Sequence, residues 1–414
     1  MKKNIIKLLS LLLAAALLVC VFAGCSDGST ANSNATKAPD NGETKAETKA
    51  GTEPATEPAA PAGDPIKIGV LVADVSGEEA LGFRSYYENY IAKNYNVSFV
   101  YTEQLEDAAA EKSAIEKFAA QGCQAILSFS SADRATQLDT CIQNKLYYAV
   151  ASGMLDDAQY ETYKTSEYFV GQIGPSMDTE YEAGFAMGKY FADKGVKSVA
   201  LYGAFIPNPM HVYRAAGVLA GLGMTYGGAS EKDAIVGQIF GDQGIDPSKV
   251  GANGVELAGY FQGFGDTTFD ELFGLLGQKP DAFLSVGMAT TFFTDSLNNA
   301  GVEFSDIDSF TAANGTAMKE GKLVYLAGKY SSSIGPIFAA VVNAVNGHPV
   351  RDAEGNALSI SQNYLVATDA ASFDKYSSAD QGESPIFGKE LLDTVIGDSV
   401  SYDAFAALVT ADRG

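Results

Sequence analysis

Residues 66–103, IKIGVLVADVSGEEALGFRSYYENYIAKNYNVSFVYTE, contain the unit from which the rest of the chain is built. Ile66–Ala73 is a short apolar run and reads as a buried strand. Phe83, Tyr87, Tyr90 and Ile91 then recur at helical spacing, and Val97 opens a second apolar run. Strand, helix and strand in succession predict a parallel pair joined by a crossover.

The alternation continues outward. Ile115, Phe118 and Ala119 mark a helix that ends at Gly122, a left-handed cap. Cys123–Ser130 reads as a strand, Leu138, Cys141 and Ile142 as a helical stripe, and runs from Leu146 and Tyr168 as two further strands. The pattern then restarts. Tyr181, Gly184, Phe185, Gly188 and Phe191 form one helical face closed by Gly195, with Glu180 and Glu182 at its positive N-terminal end. KSVALYGAF (197–205), VELAGYFQGF (255–264), DAFLSVG (281–287), DSFTAANG (308–315) and KLVYLAGK (322–329) predict strands. Helical stripes lie between most of them, and Ile334–Val345 is a strong helix stopped by Gly347. The Gly- and Asp-rich stretch 223–254 reads as an inserted surface loop. The fold class is α/β: two doubly wound parallel-sheet lobes joined by a hinge.

Ahead of this region, MKKNIIKLLSLLLAAALLVCVFAGC has a basic start, a short apolar core and small residues before Cys25. It reads as a secretory signal over 1–24. Its end resembles a bacterial lipobox, which implies that the Cys25 thiol receives a lipid. Residues 26–65 have almost no large apolar side chain and carry near-repeats such as ETKAETKA. Such a segment buries too little to offset its ordering entropy and reads as a tether.

The chain of 414 residues has 28 Lys and Arg against 51 Asp and Glu, a net charge of −23. Three of the lysines leave with the signal. An acidic module of this kind is not built to bind nucleic acid or anionic headgroups through a basic face. Cys123 and Cys141 are the two cysteines of the folded region, open as buried thiols or as a disulfide. No Cys/His spacing suggests a metal, no cofactor is expected, and the histidines are two, His211 and His348. Nucleophile-elbow, phosphate-loop and zincin motifs are missing, as is a GxGxxG turn after the first strand. The adjacent carboxylates Glu78-Glu79 and Asp156-Asp157 read as solvated charge.

In order along the chain, IKIGVLVADVSGEEALGF, SFSSADRATQLDTCIQNKLYYAVAS, MDTEYEAGFAMGKYFADKG, HVYRAAGVLAGL and DSFTAANGTAMKEGKLVYLAGKYSSSIGPIFAAVVNAVNG resemble segments of the type 1 periplasmic-binding-fold solute receptors. These are of the ribose- and galactose-binding kind, and the likeness covers roughly 66–350. It implies a hinged receptor with its ligand between lobes. It also implies a discontinuous plan, 66–177 with 330–358 as the first lobe and 178–329 with 359–414 as the second. A chain of this kind, held at the extracytoplasmic face of a bacterial membrane by its lipid, delivers a small polar, sugar-like solute to an ABC permease, as a monomer. Presenting ligand to a membrane kinase or chemoreceptor is the alternative within the fold, and a secreted hydrolase is the alternative outside it.

The candidate ligand contacts follow. The resemblance assigns Arg214 to a ligand-binding position, with His211 one turn earlier on its helix. Asn314 stands where sugar receptors usually carry Asp, Lys329 near the polar crossover, and Phe264 where an aromatic flanks the ligand ring. In the first lobe Ser76 and Glu78 follow the first strand, Ser130, Ser131 and Asp133 the third, and Ser152 the fourth. Ligands of open parallel sheets sit at the carboxyl ends of strands, where these residues fall. The Asp-Arg pair common after the fourth strand of such receptors is replaced by Ser152-Gly153.

Overall fold

A computed structural model describes residues 63–105, 107–203, 208–263, 267–380 and 382–413. The signal, Cys25, nearly all of the tether and Phe264 lie outside the described residues. Among those residues no helix is long and apolar enough to cross a membrane.

The apolar runs become the strands of two sheets. The first sheet takes β1 (Ile66–Leu71), β2 (Val97–Tyr101), β3 (Ala125–Ser128), β4 (Tyr147–Val150) and β5 (Phe169–Gly174). The second begins with β6 (Ser198–Tyr202). A small ribbon of β7 (Thr225–Tyr226) and β8 (Val250–Gly251) follows, and the second sheet resumes with β9 (Glu256–Phe261), β10 (Ala282–Ser285), β11 (Glu303–Ile307) and β12 (Leu323–Gly328). Finally β13 (Leu358–Ser361) returns to the first sheet and β14 (Leu365–Ala367) to the second.

The sheet orders are β2-β1-β3-β4-β5-β13 and β9-β6-β10-β11-β12-β14, the same winding used twice. Every pairing in them is parallel except β12 with β14. In each half the winding reverses direction beside the first strand, and this opens a crevice at the carboxyl ends of the strands.

The principal helices are α1 (Glu78–Ser85), α2 (Ala108–Ala120), α3 (Arg134–Asn144), α4 (Asp157–Tyr163), α5 (Met177–Lys194), α6 (Pro209–Gly221), α7 (Lys232–Asp242), α8 (Thr268–Leu276), α9 (Ala289–Ala300), α10 (Ala312–Lys319), α11 (Gly335–Val345), α12 (Ala370–Ala379) and α13 (Tyr402–Thr410). Gly122 and Gly195 take φ of 78° and 82°, as helix stops in the left-handed region must. Helix α11 is buried from Gly335 to Ala344, which explains why its sequence is apolar all round. Helices α5 and α6 meet backbone to backbone. A Cβ on Gly184 would stand 2.0 Å from the Arg214 carbonyl oxygen, and one on Gly217 would stand 2.1 Å from that of Tyr181.

Three expectations need correction. The 223–254 segment is not a loop. It holds the β7–β8 ribbon and α7, and Tyr226, Ile235, Val236 and Ile239 are buried in the second-lobe core beside α6. The strand expected at 308–315 lies earlier, at 303–307. Its Ser305 and Asp306 are buried polar residues that break the apolar pattern, while Ala312–Asn314 open α10 instead.

The third concerns the tail. Residues 359–414 do not all join the second lobe. Strand β13 pairs with β5, and Phe387, Leu392, Val395, Phe405, Leu408 and Val409 pack in one core cluster with Ile68 and α11. Within that tail β14 joins the second sheet, and Phe373 of α12 packs in its core. Cys123 and Cys141 are both free thiols in the core between the first sheet and α2 and α3.

Phe405 is fully buried in the first-lobe cluster. Phe405→Ala should lower stability by about 3–5 kcal/mol in urea unfolding. Native-state hydrogen exchange should lose protection in β1, β4 and β5 before β10–β12; loss confined to β10–β12 would contradict the placement of the tail.

Candidate functional site

Four segments join the lobes: β5 into α5, β12 into α11, β13 into β14, and the run from α12 in the second-lobe core back to Phe387 in the first. Side chains and backbone tie the first three of these crossings to one another. The Ser361 and Thr179 hydroxyls lie 2.6 Å apart, Gln362 N donates to Gly174 O (3.0 Å), and Gln362 Nε2 donates to Ser333 O (2.8 Å). The carboxyl ends of both sheets therefore face the same gap.

A cavity of about 490 Å³ occupies that gap. From the first lobe it is lined by Val72, Asp74, Ser76, Glu78 and Glu79 after β1, by Phe83 and Arg84 of α1, and by Tyr101, Phe129 and Ser152 at the ends of β2, β3 and β4. From the second lobe come Met288, Thr290 and Thr291 after β10, and Asp308, Thr311 and Ala313 after β11. Phe83 and Phe129 stack with centroids 5.4 Å apart, which gives one wall an aromatic surface. Met288 sits at φ 67°, a left-handed conformation uncommon for a residue with a side chain.

The lobes touch across the cavity through carboxylates. Ser309 Oγ donates to Glu79 Oε1 at 2.6 Å, and Lys329 Nζ lies 3.1 Å from the same oxygen. Ala313 N, in the first turn of α10, donates to Glu78 Oε2 at 3.3 Å. Burial works to raise the Glu79 pKa, but Lys329 and the Ser309 hydroxyl outweigh it and hold the group below its ordinary value. Asp308 moves the other way. Burial first, then the charges of Asp306 and Glu79, push it up to about 8. Asp306 beneath it is also raised by burial, to about 6, although it accepts from Ser285 Oγ (2.8 Å) and Thr290 N (3.2 Å).

Of the residues singled out from sequence, Ser76, Glu78 and Ser152 line the cavity. Lys329 stands behind it, 3.4 Å from Ser152 Oγ and 5.4 Å over the Phe83 ring. The others are engaged elsewhere. Ser130 is buried and donates to Glu111. Asp133 caps α3 by accepting from Thr136 N and Oγ1 (3.0 and 2.7 Å), and Ser131 is exposed away from the cavity lining.

Arg214 is spent on a buried network. Its Nε donates to Glu180 Oε2 (2.6 Å), Nη1 to Val286 O (2.7 Å) and Nη2 to Tyr364 Oη (2.6 Å), so it clamps α5, the end of β10 and the β13–β14 crossing together. His211 lies beside it. Its Nδ1 faces Gly203 O at 3.2 Å and, since a carbonyl can only accept, carries the proton. Burial and then Arg214 push this imidazole down to about 4, so it is neutral. Asn314 is not at a strand end. It sits inside α10 and donates from Nδ2 to Asp308 Oδ2 (3.0 Å) and to Ser309 O (2.8 Å).

Asp308, Glu79 and Thr290 are among the cavity residues that the sequence analysis passed over. Asp308 becomes visible once the strand is set at 303–307, because it is then the first residue past the carboxyl end.

No family model and no curated protein matches the sequence. Solved structures do match. An ABC transporter solute-binding protein from Bacillus halodurans C-125 with bound myo-inositol is 16% identical, over 77% of this chain and 99% of that one, with a TM-score of 0.53. A periplasmic solute-binding protein from Actinobacillus succinogenes 130z with bound D-allose is 13% identical over 75% and 100%, TM-score 0.54. The chain has the type 1 periplasmic-binding fold. A 5-methylthioribose transporter solute-binding protein from Thermotoga lettingae TMO shares this two-lobe fold, at 12% identity over 81% and 98% with a TM-score of 0.54.

The raised Asp308 has a measurable consequence. Between about pH 6.5 and 8 the folded protein keeps a proton that the unfolded chain has lost, so stability falls as pH rises and levels off above about 8. Glu79 and His211, shifted down, and Asp306, shifted less far up, titrate below this window. The thermal midpoint of the unliganded protein should therefore drop across this interval, and Asp308→Asn should flatten the drop.

Proposed function

We propose that this protein captures a small, sugar-like solute between its lobes and hands it unchanged to an ABC importer. The observation that carries the reading is the cavity of about 490 Å³ whose wall is shared by the strand ends of both sheets. A hydroxylated ring needs an aromatic face and hydrogen-bonding side chains in close array. Phe83 and Phe129 offer the first; Ser76, Ser152, Thr290, Thr291 and Thr311 offer the second. The Glu79–Ser309 bond joins one lobe to the other, so closure and solute enclosure are one event. Likeness in fold to solute-binding proteins of transporters favours capture over turnover.

A basic, apolar leader ending at Cys25 supports attachment by lipid to the outer face of the cell membrane, with the acidic Pro- and Thr-containing segment as a tether. Labelled palmitate should enter the wild-type chain and not Cys25→Ala; equal labelling of both would remove the anchor from this reading.

A thermal-shift screen against neutral monosaccharides, cyclitols and their amino derivatives tests the solute class, since a ligand that prefers the native state raises apparent stability. Binding should then compact the protein in small-angle scattering. A panel in which no sugar-like compound stabilises the protein would overturn the proposal.

A further inference from the structure

Charge around the cavity is unbalanced. Glu79 is matched by Lys329. Asp308, on the same wall and adjacent in sequence to Ser309, has no ion-pair partner among the described residues, and Asp306 behind it has none either. The nearby cations are committed elsewhere. Arg84 bonds Glu88 at 3.1 Å and covers the Tyr101 ring, while Arg214 is held by Glu180, Val286 and Tyr364. A carboxylate enclosed without a counter-charge is unfavourable, and the unfavourable term disappears when a cation is brought to it.

A second observation points the same way. Thr290 lines the cavity, is only 6% exposed, and its Oγ1 has no hydrogen-bond partner. The Oδ1 of Asn314, whose amide nitrogen holds Asp308, is likewise buried without a partner. The wall thus holds an unpartnered threonine hydroxyl and an unmatched carboxylate. Among the described residues it has no free cation to receive a phosphate or a carboxylate, so sugar phosphates and sugar acids fit it poorly.

We propose that the solute carries a protonated amine, seated against Asp308 and facing Glu79, on a hydroxylated ring that lies along Phe83 and Phe129. The class is that of amino sugars and amino cyclitols. This deepens the solute-capture reading and rests on it. Burial and the neighbouring carboxylates favour the protonated form of Asp308, so an ammonium arriving there displaces a proton.

Titration calorimetry on the purified full chain at pH 7 tests the proposal with matched sets: D-glucosamine, D-galactosamine and an amino-inositol, each beside its hydroxyl parent and its N-acetyl form. At least one amine should bind tenfold or more tighter than both of its partners. Its binding should release protons, read from the dependence of heat on buffer ionisation. Asp308→Asn should remove the preference for the amine, bringing amine and parent within threefold of each other. Glu79→Gln, a second variant that keeps the side-chain shape, should weaken the amine more than the parent.

Neutral parents that bind as tightly as the amines, or an amine preference that survives Asp308→Asn, would overturn the amine assignment and leave solute capture standing. Absence of binding by every compound in the panel would overturn both.

Discussion

Everything in this molecule follows from two sheets being held with the carboxyl ends of their strands turned toward one gap. Four crossings do the holding, and the first three are bound to each other as well as to the lobes. Ser361 reaches Thr179, Gln362 reaches Gly174 and Ser333, and the Arg214 clamp adds Glu180 and Tyr364. Loosening one of those three therefore disturbs the others.

The gap itself is a place of electrostatic tension. Glu79 is satisfied by Lys329 and Ser309, and it makes the contact that joins the lobes. Asp308 is crowded by Asp306 and Glu79 and is driven toward its neutral form. The same wall therefore holds one carboxylate that favours closure and one that opposes it when ionised. A solute that quiets the second adds to the work of the first. In the proposed reading, binding and closure are two faces of one equilibrium, and selectivity resides in the charge that the solute brings.

The layer plan was legible because buried parallel strands must be apolar runs and their crossovers must be helical stripes. Ile66–Leu71 and Phe169–Gly174 leave little alternative, and α11 is apolar on every side. Several of the failures share one cause, buried polar residues that look like surface. Ser305 and Asp306 hide a strand because Met187 Sδ and Ser285 Oγ satisfy them, partners distant in sequence. Glu180 looks like a helix-end charge, yet it is buried against Arg214. Glu79 sits beside Glu78 in a pair that reads as solvated, and only the facing lobe supplies the Ser309 that gives it a role. The 223–254 segment did carry a signal, Ile235, Val236 and Ile239 at helical spacing, submerged in glycine and aspartate.

The path of the tail bears on how such a chain acquires its shape. The half that is synthesised first owns β1, but it also needs β13 and, more than three hundred positions after β1, the side chains of Phe405 and Val409. The other half draws on a nearly unbroken stretch from α5 to β12, completed soon afterwards by β14 and α12. Loop-closure entropy penalises the first arrangement and spares the second. During vectorial emergence of the polypeptide the order of maturation is thus inverted. The later-made half can settle while the earlier one waits, its greasy strands still awaiting a lid, and that waiting interval is when a chaperone has most to protect.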